Sequence, residues 1–226
     1  MIVSMTELRA RLKDCLDKLE AGEEITIIRH SRAIGRLVPS EEIKAAAEAQ
    51  KVLVPDSVKL RDNREVRFRQ LGAYENSEPV RRLHRTALEV ASAYTEDPSL
   101  DTDLLSPGSY YPNWDGEFWV GELEGELVAM GAFRLYISER PEANLSSQSL
   151  AELKRMRVRP DLQGQGIGSA LLRLLESRAK QQGYEALVLD TVVGTPAQEF
   201  YARQSYQETG HHQGEKFELV YYRKVL

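Results

Sequence analysis

Apolar positions recur along this chain with two different periods. Leu8, Leu12, Cys15, Leu16 and Leu19 fall at helical spacing. Ser4-Met5-Thr6-Glu7 fits a capping box that opens this helix, and Ala21-Gly22 closes it. Met1 to Met5 suits a short strand ahead of it. Ile25 to Arg29 reads as a strand, His30-Ser31-Arg32 as a turn, and Ala33 to Val38 as a returning strand. Pro39 to Val52 predicts a helix with an Ala-rich middle, capped by Ser40. Val54 to Arg64, with Pro55 and Asp56, reads as a linker. Further on, Glu117 to Gly131 alternates and turns at Glu124-Gly125, which predicts a hairpin. Ala151 to Val158 is a strand that ends at a Pro-containing turn. Ile167, Leu171, Leu174, Leu175 and Arg178 return to helical spacing and stop near Gly183. Ala186 to Thr191 is an apolar strand, Pro196 to Gln204 is helix-like, and Phe217 to Tyr222 closes the chain as a strand.

Composition narrows the class. The 226 residues are 42% hydrophobic and 29% charged, ordinary for a soluble globular protein of one large domain, or of one domain and a smaller one. No apolar run approaches the ~18 residues that span a membrane, and no basic segment followed by an apolar one opens the chain. With a single cysteine, Cys15, no intrachain disulfide can form, which fits a cytoplasmic setting. Charge is uneven. Residues 1–64 carry 12 Lys/Arg and 11 Asp/Glu, a net of +1; residues 65–226 carry 18 and 24, a net of −6. Basic residues of the acidic part gather at Lys154, Arg155, Arg157, Arg159, Arg173 and Arg178, where some can meet a phosphate and others are solvated surface charges.

The densest chemical signal is Arg159 to Gly168, between a strand and a helix. A glycine turn at a helix start leaves backbone N–H groups facing outward at the positive end of the helix dipole. Gly166 and Gly168 let a phosphate approach the backbone. The dinucleotide pattern fails because the third glycine falls too early, and the triphosphate pattern fails for lack of Lys. A glycine turn of this kind can also be plain architecture. Gln163, Gly166 and Gly168 do satisfy Gln/Arg-x-x-Gly-x-Gly/Ala. In this strand-loop-helix setting the segment resembles the acetyl-CoA pyrophosphate loop of the GNAT N-acetyltransferase superfamily. Phe200-Tyr201 with Tyr206 resembles that family's Phe-Tyr-x4-Phe segment, although Ser205 stands where the family usually has Gly. The resemblance spans residues 65–226. It implies an α/β fold with a mixed, mostly antiparallel central sheet flanked by helices, and acetyl transfer from acetyl-CoA to an amine without a metal. It implies that Met156, Val158, Gln163, Gly164, Gln165, Gly166, Ile167, Gly168 and Ser169 hold acetyl-CoA. Tyr201 would protonate the leaving thiolate, and Glu152 would act as base, directly or through water. The open readings are that Tyr201 is a core aromatic and Glu152 a strand-surface carboxylate paired with Lys or Arg. Asp190 reads as structural, and His211 and His212 as loop residues. Tyr110, Tyr111 and Trp114 shape an acceptor pocket or simply pack.

The front of the chain, residues 1–53, resembles the Phd/YefM antitoxin family through Leu19 to Ile27, Arg29-His30-Ser31-Arg32 and Arg36-Leu37-Val38-Pro39. That resemblance implies a small α+β homodimer that binds operator DNA, joined by the 54–64 linker to the acetyltransferase. Arg9, Arg11, Arg29 and Arg32 are the candidates for DNA contact. Three functions follow: a single-chain toxin–antitoxin system that acetylates aminoacyl-tRNA; an acetyltransferase for a small-molecule or protein amine whose front part only dimerises it; and a non-enzymatic regulator that senses acetyl-CoA. The net charge of −6 on residues 65–226 argues mildly against a broad tRNA surface.

Overall fold

The computed structural model describes residues 2–20, 25–29, 32–37, 56–136, 150–214 and 216–226. The chain divides into two units, Met1–Val54 and Pro55–Leu226.

In the first unit, β1 (Ile2–Ser4) leads directly into α1 (Met5–Ala10). Ser4 Oγ accepts from the Glu7 N–H at 3.2 Å, and Glu7 accepts from the Ser4 N–H at 2.7 Å, so the expected capping box forms. The helical stripe is broken at Arg11, where φ is −125°, and resumes as α2 (Leu12–Glu20). β2 (Ile25–Arg29) lies between a parallel β1 and an antiparallel β3 (Arg32–Leu37). Val3, Cys15 and Ile25 form a small core, with Leu8, Ile27 and Leu37 packed on it. Leu12 and Leu16 stay 53% and 49% exposed, so only part of the apolar stripe is covered within the unit. The helix expected over 39–52 and the turn at 30–31 lie outside the described residues.

The second unit is built on an eight-stranded sheet, in the order β10-β11-β9-β8-β7-β6-β5-β4. Its strands are β4 (Ser57–Lys59), β5 (Glu65–Gln70), β6 (Glu117–Leu123), β7 (Glu126–Leu135), β8 (Leu150–Val158), β9 (Ala186–Val192), β10 (Gln207–Gln213) and β11 (Glu218–Val225). All neighbours are antiparallel except β8 and β9. Part of the segment read as linker is therefore an edge strand. Three residues are too few to show a period, and β4 exists because β5 pairs with it.

Helices α3 (Glu78–Val90), α4 (Pro107–Asn113), α5 (Ile167–Gln181) and α6 (Pro196–Arg203) complete the unit, with a 3-10 segment at Pro98–Leu105. Side chains alternate across a strand, so β7 sorts them. Met130 and Ala132 pack with Val80 and Leu83 of α3 and with Leu104 and Tyr111. Gly131 faces the other way, where an added Cβ would lie 2.8 Å from Leu175 and 2.6 Å from Met156. The sheet thus has α3 and α4 on one face and α5 on the other. His211 and His212, expected in a loop, sit on β10. That strand is almost wholly exposed, so no apolar alternation betrays it. His211 contacts Glu208 and Glu218, each at 2.9 Å.

Candidate active site

The cleft begins where two strands part. β8 and β9 run parallel, but they pair only over Leu150–Glu152 and Ala186–Val188. Beyond Glu152 the β9-facing edge of β8 has no strand partner among the described residues. Its other edge stays paired to β7, with one irregularity: Ala132 pairs with Lys154 and Met130 with Arg157, so Arg155 and Met156 both lie opposite Gly131. This is a β-bulge, and it bends β8 at the point of divergence. Arg155 holds a left-handed φ of +59°, which costs a non-glycine residue about 1–2 kcal/mol.

The Arg155 side chain offsets that strain. Its Nη1 donates to Asp101 at 2.8 Å, its Nη2 to the Leu100 carbonyl at 2.6 Å, and both Nε and Nη2 to Asp103. Tyr111 donates its hydroxyl to the same Asp103 at 2.6 Å. His84 lies 3.2 Å from Asp101 and is 2% exposed. Its pKa falls to about 4, first through burial and then through Arg157 and Arg155. Burial raises the Asp103 pKa, but the hydrogen bonds and charge of Arg155 together with the Tyr111 hydroxyl outweigh it and the net shift is downward. The network pins the 98–105 segment and α4 to the bulge.

After β8 the chain turns through Pro160–Leu162. Gln163 Nε2 donates to the Val158 carbonyl at 3.2 Å. Gly164 and Gly166 take φ of 72° and 88°, and Gly166 caps α5 without a side-chain hydrogen bond. The N–H groups of Ile167, Gly168 and Ser169 therefore have no intrahelical acceptor at the positive end of a 15-residue helix. The cleft that this start borders has a volume of about 990 Å³. Its wall includes Met156, Val158, Gln163, Gly164, Gly166, Ile167, Gly168 and Ser169. Gln165 of the expected set is not on the wall; it accepts from the Arg61 N–H at 3.4 Å.

Tyr201 lies on α6 and reaches the cleft wall, packed between Phe200, Tyr206 and Tyr222. Burial pushes its pKa up to about 12, so the phenol is a proton donor at neutral pH. Tyr201 is thus a packed aromatic that also lines the cleft. Ser205, at the position where glycine was expected by resemblance, has a φ of +66°, the conformation that makes glycine the usual choice.

Other residues are placed differently from expectation. Glu152 is not on the wall. It accepts from Arg134 Nε at 2.9 Å and pairs with Lys154 at 3.0 Å. Asp190, read as structural, is on the wall, 3.5 Å from Lys154 Nζ. Four of the six clustered cations are held by carboxylates: Lys154 by Glu152 and Asp190, Arg155 as above, Arg159 by Asp161 and Glu126, and Arg178 by Glu117. Arg178 is also about 18 Å along α5 from Gly166. Tyr111 is core at 1% exposure, Trp114 is 41% exposed, and Tyr110 lines the cleft and accepts from Arg134 at 2.7 Å. In the first unit Arg9 and Arg11 are exposed and Arg11 pairs with Asp14. Arg29 is buried at 9% exposure, so it does not present the surface expected of a DNA contact; the Arg32 side chain lies outside the described residues. No group of three or more His, Cys, Asp or Glu side chains is placed to hold a metal among the described residues, and no helix there is long and apolar enough to cross a membrane.

Residues 79–206, which contain the bulge, the glycine turn and Tyr201, match the Acetyltransferase (GNAT) family, and the chain belongs to that family. Its acetyltransferases use acetyl-CoA as co-substrate. N-acetyltransferase family 8 member 2 of Rattus norvegicus is 35% identical over 114 residues, 50% of this chain and 48% of that protein. N-acetylaspartate synthetase of Danio rerio is 31% identical over 115 residues, 50% of this chain and 36% of that protein. The chain thus spans about half the length, or less, of the curated relatives it matches. Among solved structures, a GNAT-family acetyltransferase from Staphylococcus aureus Mu50 shares the fold with a TM-score of 0.59 at 17% identity, over 71% of this chain and 98% of that one. The GNAT domain of S. lividans PAT does so at 0.57 and 18%, over 75% and 96%.

Proposed function

We propose that this chain is an acetyl-CoA-dependent N-acetyltransferase. The observation that carries the reading is the open β8 edge past Glu152, which runs into a glycine-opened helix start on the same cleft as Tyr201. Acetyl-CoA supplies an acetyl group on a thioester. The backbone of Met156 and Val158, on the β8 edge that β9 leaves, suits the pantetheine amides, and a β8 N–H at the bulge suits the developing oxyanion. The first-turn N–H groups of α5 suit the pyrophosphate. Tyr201 holds the proton for the departing sulfur. In this reading Asp190 is the carboxylate that faces the amine, and Glu152 orients Lys154 and Arg134. The test is release of CoA from acetyl-CoA by the full chain offered a panel of amines. Release above background with at least one amine is expected; release with none sinks the reading.

The front unit fits a dimerising module that contacts DNA through Arg9 and Arg11, with Leu12 and Leu16 left exposed for a second copy. A fused toxin–antitoxin pair acting on aminoacyl-tRNA is the more specific version, and a front part that only dimerises is the simpler one. Expressing residues 54–226 beside the full chain separates them. Toxicity of the fragment alone, with acetylated aminoacyl-tRNA, is expected under the fused-toxin version; a harmless active fragment favours the simpler one.

A further inference from the structure

Five cations line the cleft among the described residues: Arg134, Lys154, Arg155, Arg157 and Arg203. Four have carboxylate partners. Arg134 pairs with Glu152, Lys154 with Glu152 and Asp190, Arg155 with Asp101 and Asp103, and Arg203 with Glu199. Arg157 has no ion-pair partner among the described residues. Its Nη1 donates to the Met156 carbonyl at 2.7 Å, and its buried Nε makes no hydrogen bond. Tyr201, Arg155, Asp101 and Asp190 are its electrostatic neighbours, and it shares the cleft wall with Tyr201, Arg155 and Asp190. A guanidinium with no direct ion pair and a buried donor left unbonded is unfavourable, and such groups persist where a ligand completes them.

With Nη1 of Arg157 engaged and Nε buried, Nη2 remains as the charged donor for a ligand in the cleft, and a carboxylate is the acceptor that matches a guanidinium. Asp190 offers the opposite charge on the same wall. A cation and an anion on one cleft wall complement a molecule that carries a carboxylate and an amine. Resting on the acetyltransferase reading, we propose that Arg157 binds a carboxylate on the acceptor, and that the acceptor class is an amine with a neighbouring carboxylate, as in a free amino acid.

The experiment uses the full chain, acetyl-CoA and matched acceptors: free α-amino acids, the same amino acids as amides, and the corresponding decarboxylated amines. The acids are expected to exceed the other two in kcat/KM by about 30-fold, the scale of one charged hydrogen-bonded contact. Arg157→Met should erase that difference, Arg157→Lys should restore part of it, and CoA affinity by calorimetry should stay within about twofold. Arg157→Met removes a charge with no direct ion pair, so its Tm should be no lower than that of the parent chain. Equal use of acids and amides overturns the proposal. So does an Arg157→Met defect that is uniform across acceptors, or one that appears as lost CoA affinity. A preference that lies instead among donors, with malonyl-CoA or succinyl-CoA favoured over acetyl-CoA, puts the carboxylate on the acyl group and also overturns it. Failure of the acetyltransferase reading looks different: no acceptor releases CoA. Calorimetric binding of acid against amide to the CoA-loaded chain then decides the Arg157 proposal alone. Binding of the acid only, lost in Arg157→Met, supports it; equal binding or none overturns it.

Discussion

The guanidinium of Arg155 grips the carboxylate of Asp103 through two donors, Nε at 2.9 Å and Nη2 at 2.5 Å. One partner sits at the φ of +59° that bends β8, and the other on the segment that closes the cleft from the opposite face of the sheet. Breaking a sequestered pair leaves an uncompensated charge, which costs about 3–5 kcal/mol. Arg155→Met and Asp103→Asn are both expected to destabilise, with Arg155→Met the more severe because it also releases Asp101 and Leu100. Urea denaturation of both singles and the double should show strong coupling. Independent, additive effects would show that the pair does not hold the bulge.

His84 should make the fold acid-sensitive. Its folded pKa is depressed from 6.5 to about 4, so between those values the unfolded chain binds a proton that the folded chain refuses. Stability from this group is full above pH 6.5 and declines as pH falls toward 4, by the order of 3 kcal/mol. The Asp103 pKa, lowered from 3.8, acts further down: its stabilisation is full above 3.8 and is lost as pH falls through the folded value. Chemical denaturation at pH 7 and pH 4.5 should show the loss, and His84→Gln should flatten it. An unchanged slope in that variant would assign the effect elsewhere.

Tyr201→Phe keeps the ring packed against Phe200, Tyr206 and Tyr222 and removes only the proton. A fall in kcat of about 10²-fold is expected, the lower range for a positioned acid, with little change in Tm or in acetyl-CoA affinity. Because burial places its pKa near 12, loss of activity between pH 8 and 10 should be no different in Tyr201→Phe.

Glu152→Gln and Asp190→Asn should separate positioning from direct contact with the amine. Glu152 has 14% of its side chain exposed and holds Arg134 and Lys154, so Glu152→Gln should lower Tm along with activity. Asp190 has 32% exposed, so Asp190→Asn should leave Tm nearly unchanged, reduce kcat, and steepen the dependence of rate on pH as the free amine becomes limiting. The reverse pattern would return the base role to Glu152.

Ser205→Gly should stabilise the chain by about 0.5–1 kcal/mol, because the φ of +66° is strained for serine and free for glycine. Tm and urea midpoint both report it. No change would mean that the gain is cancelled by the added backbone freedom of the unfolded chain.

What the sequence determined by itself is local. The capping box at Ser4 and Glu7, the glycine turn ahead of Ile167, the stripe through Leu171, Leu174 and Leu175, and the aromatic pair Phe200-Tyr201 all depend on neighbours within about a turn. Residue spacing therefore reports them directly. α3 was also within reach, since Val80, Leu83, His84 and Ala87 have helical spacing, but a buried histidine among Arg81, Arg82 and Arg85 hides it. Only the tertiary structure decided which charges are free. Arg155 and Asp103 are 52 positions apart, and Arg178 and Glu117 are 61 apart. No period links them, so a cluster read as part phosphate contact and part solvated charge turns out to be largely paired with carboxylates. The same reason exchanges Glu152 for Asp190 on the cleft wall. Glu152 lies in regular register between Arg134 and Val188, whereas Asp190 lies past the last β8–β9 pair, so the point at which the strands part decides which carboxylate borders the cleft. The cleft lies in the divergence of β8 from β9, a relation between two strands that neither strand's residues encode alone.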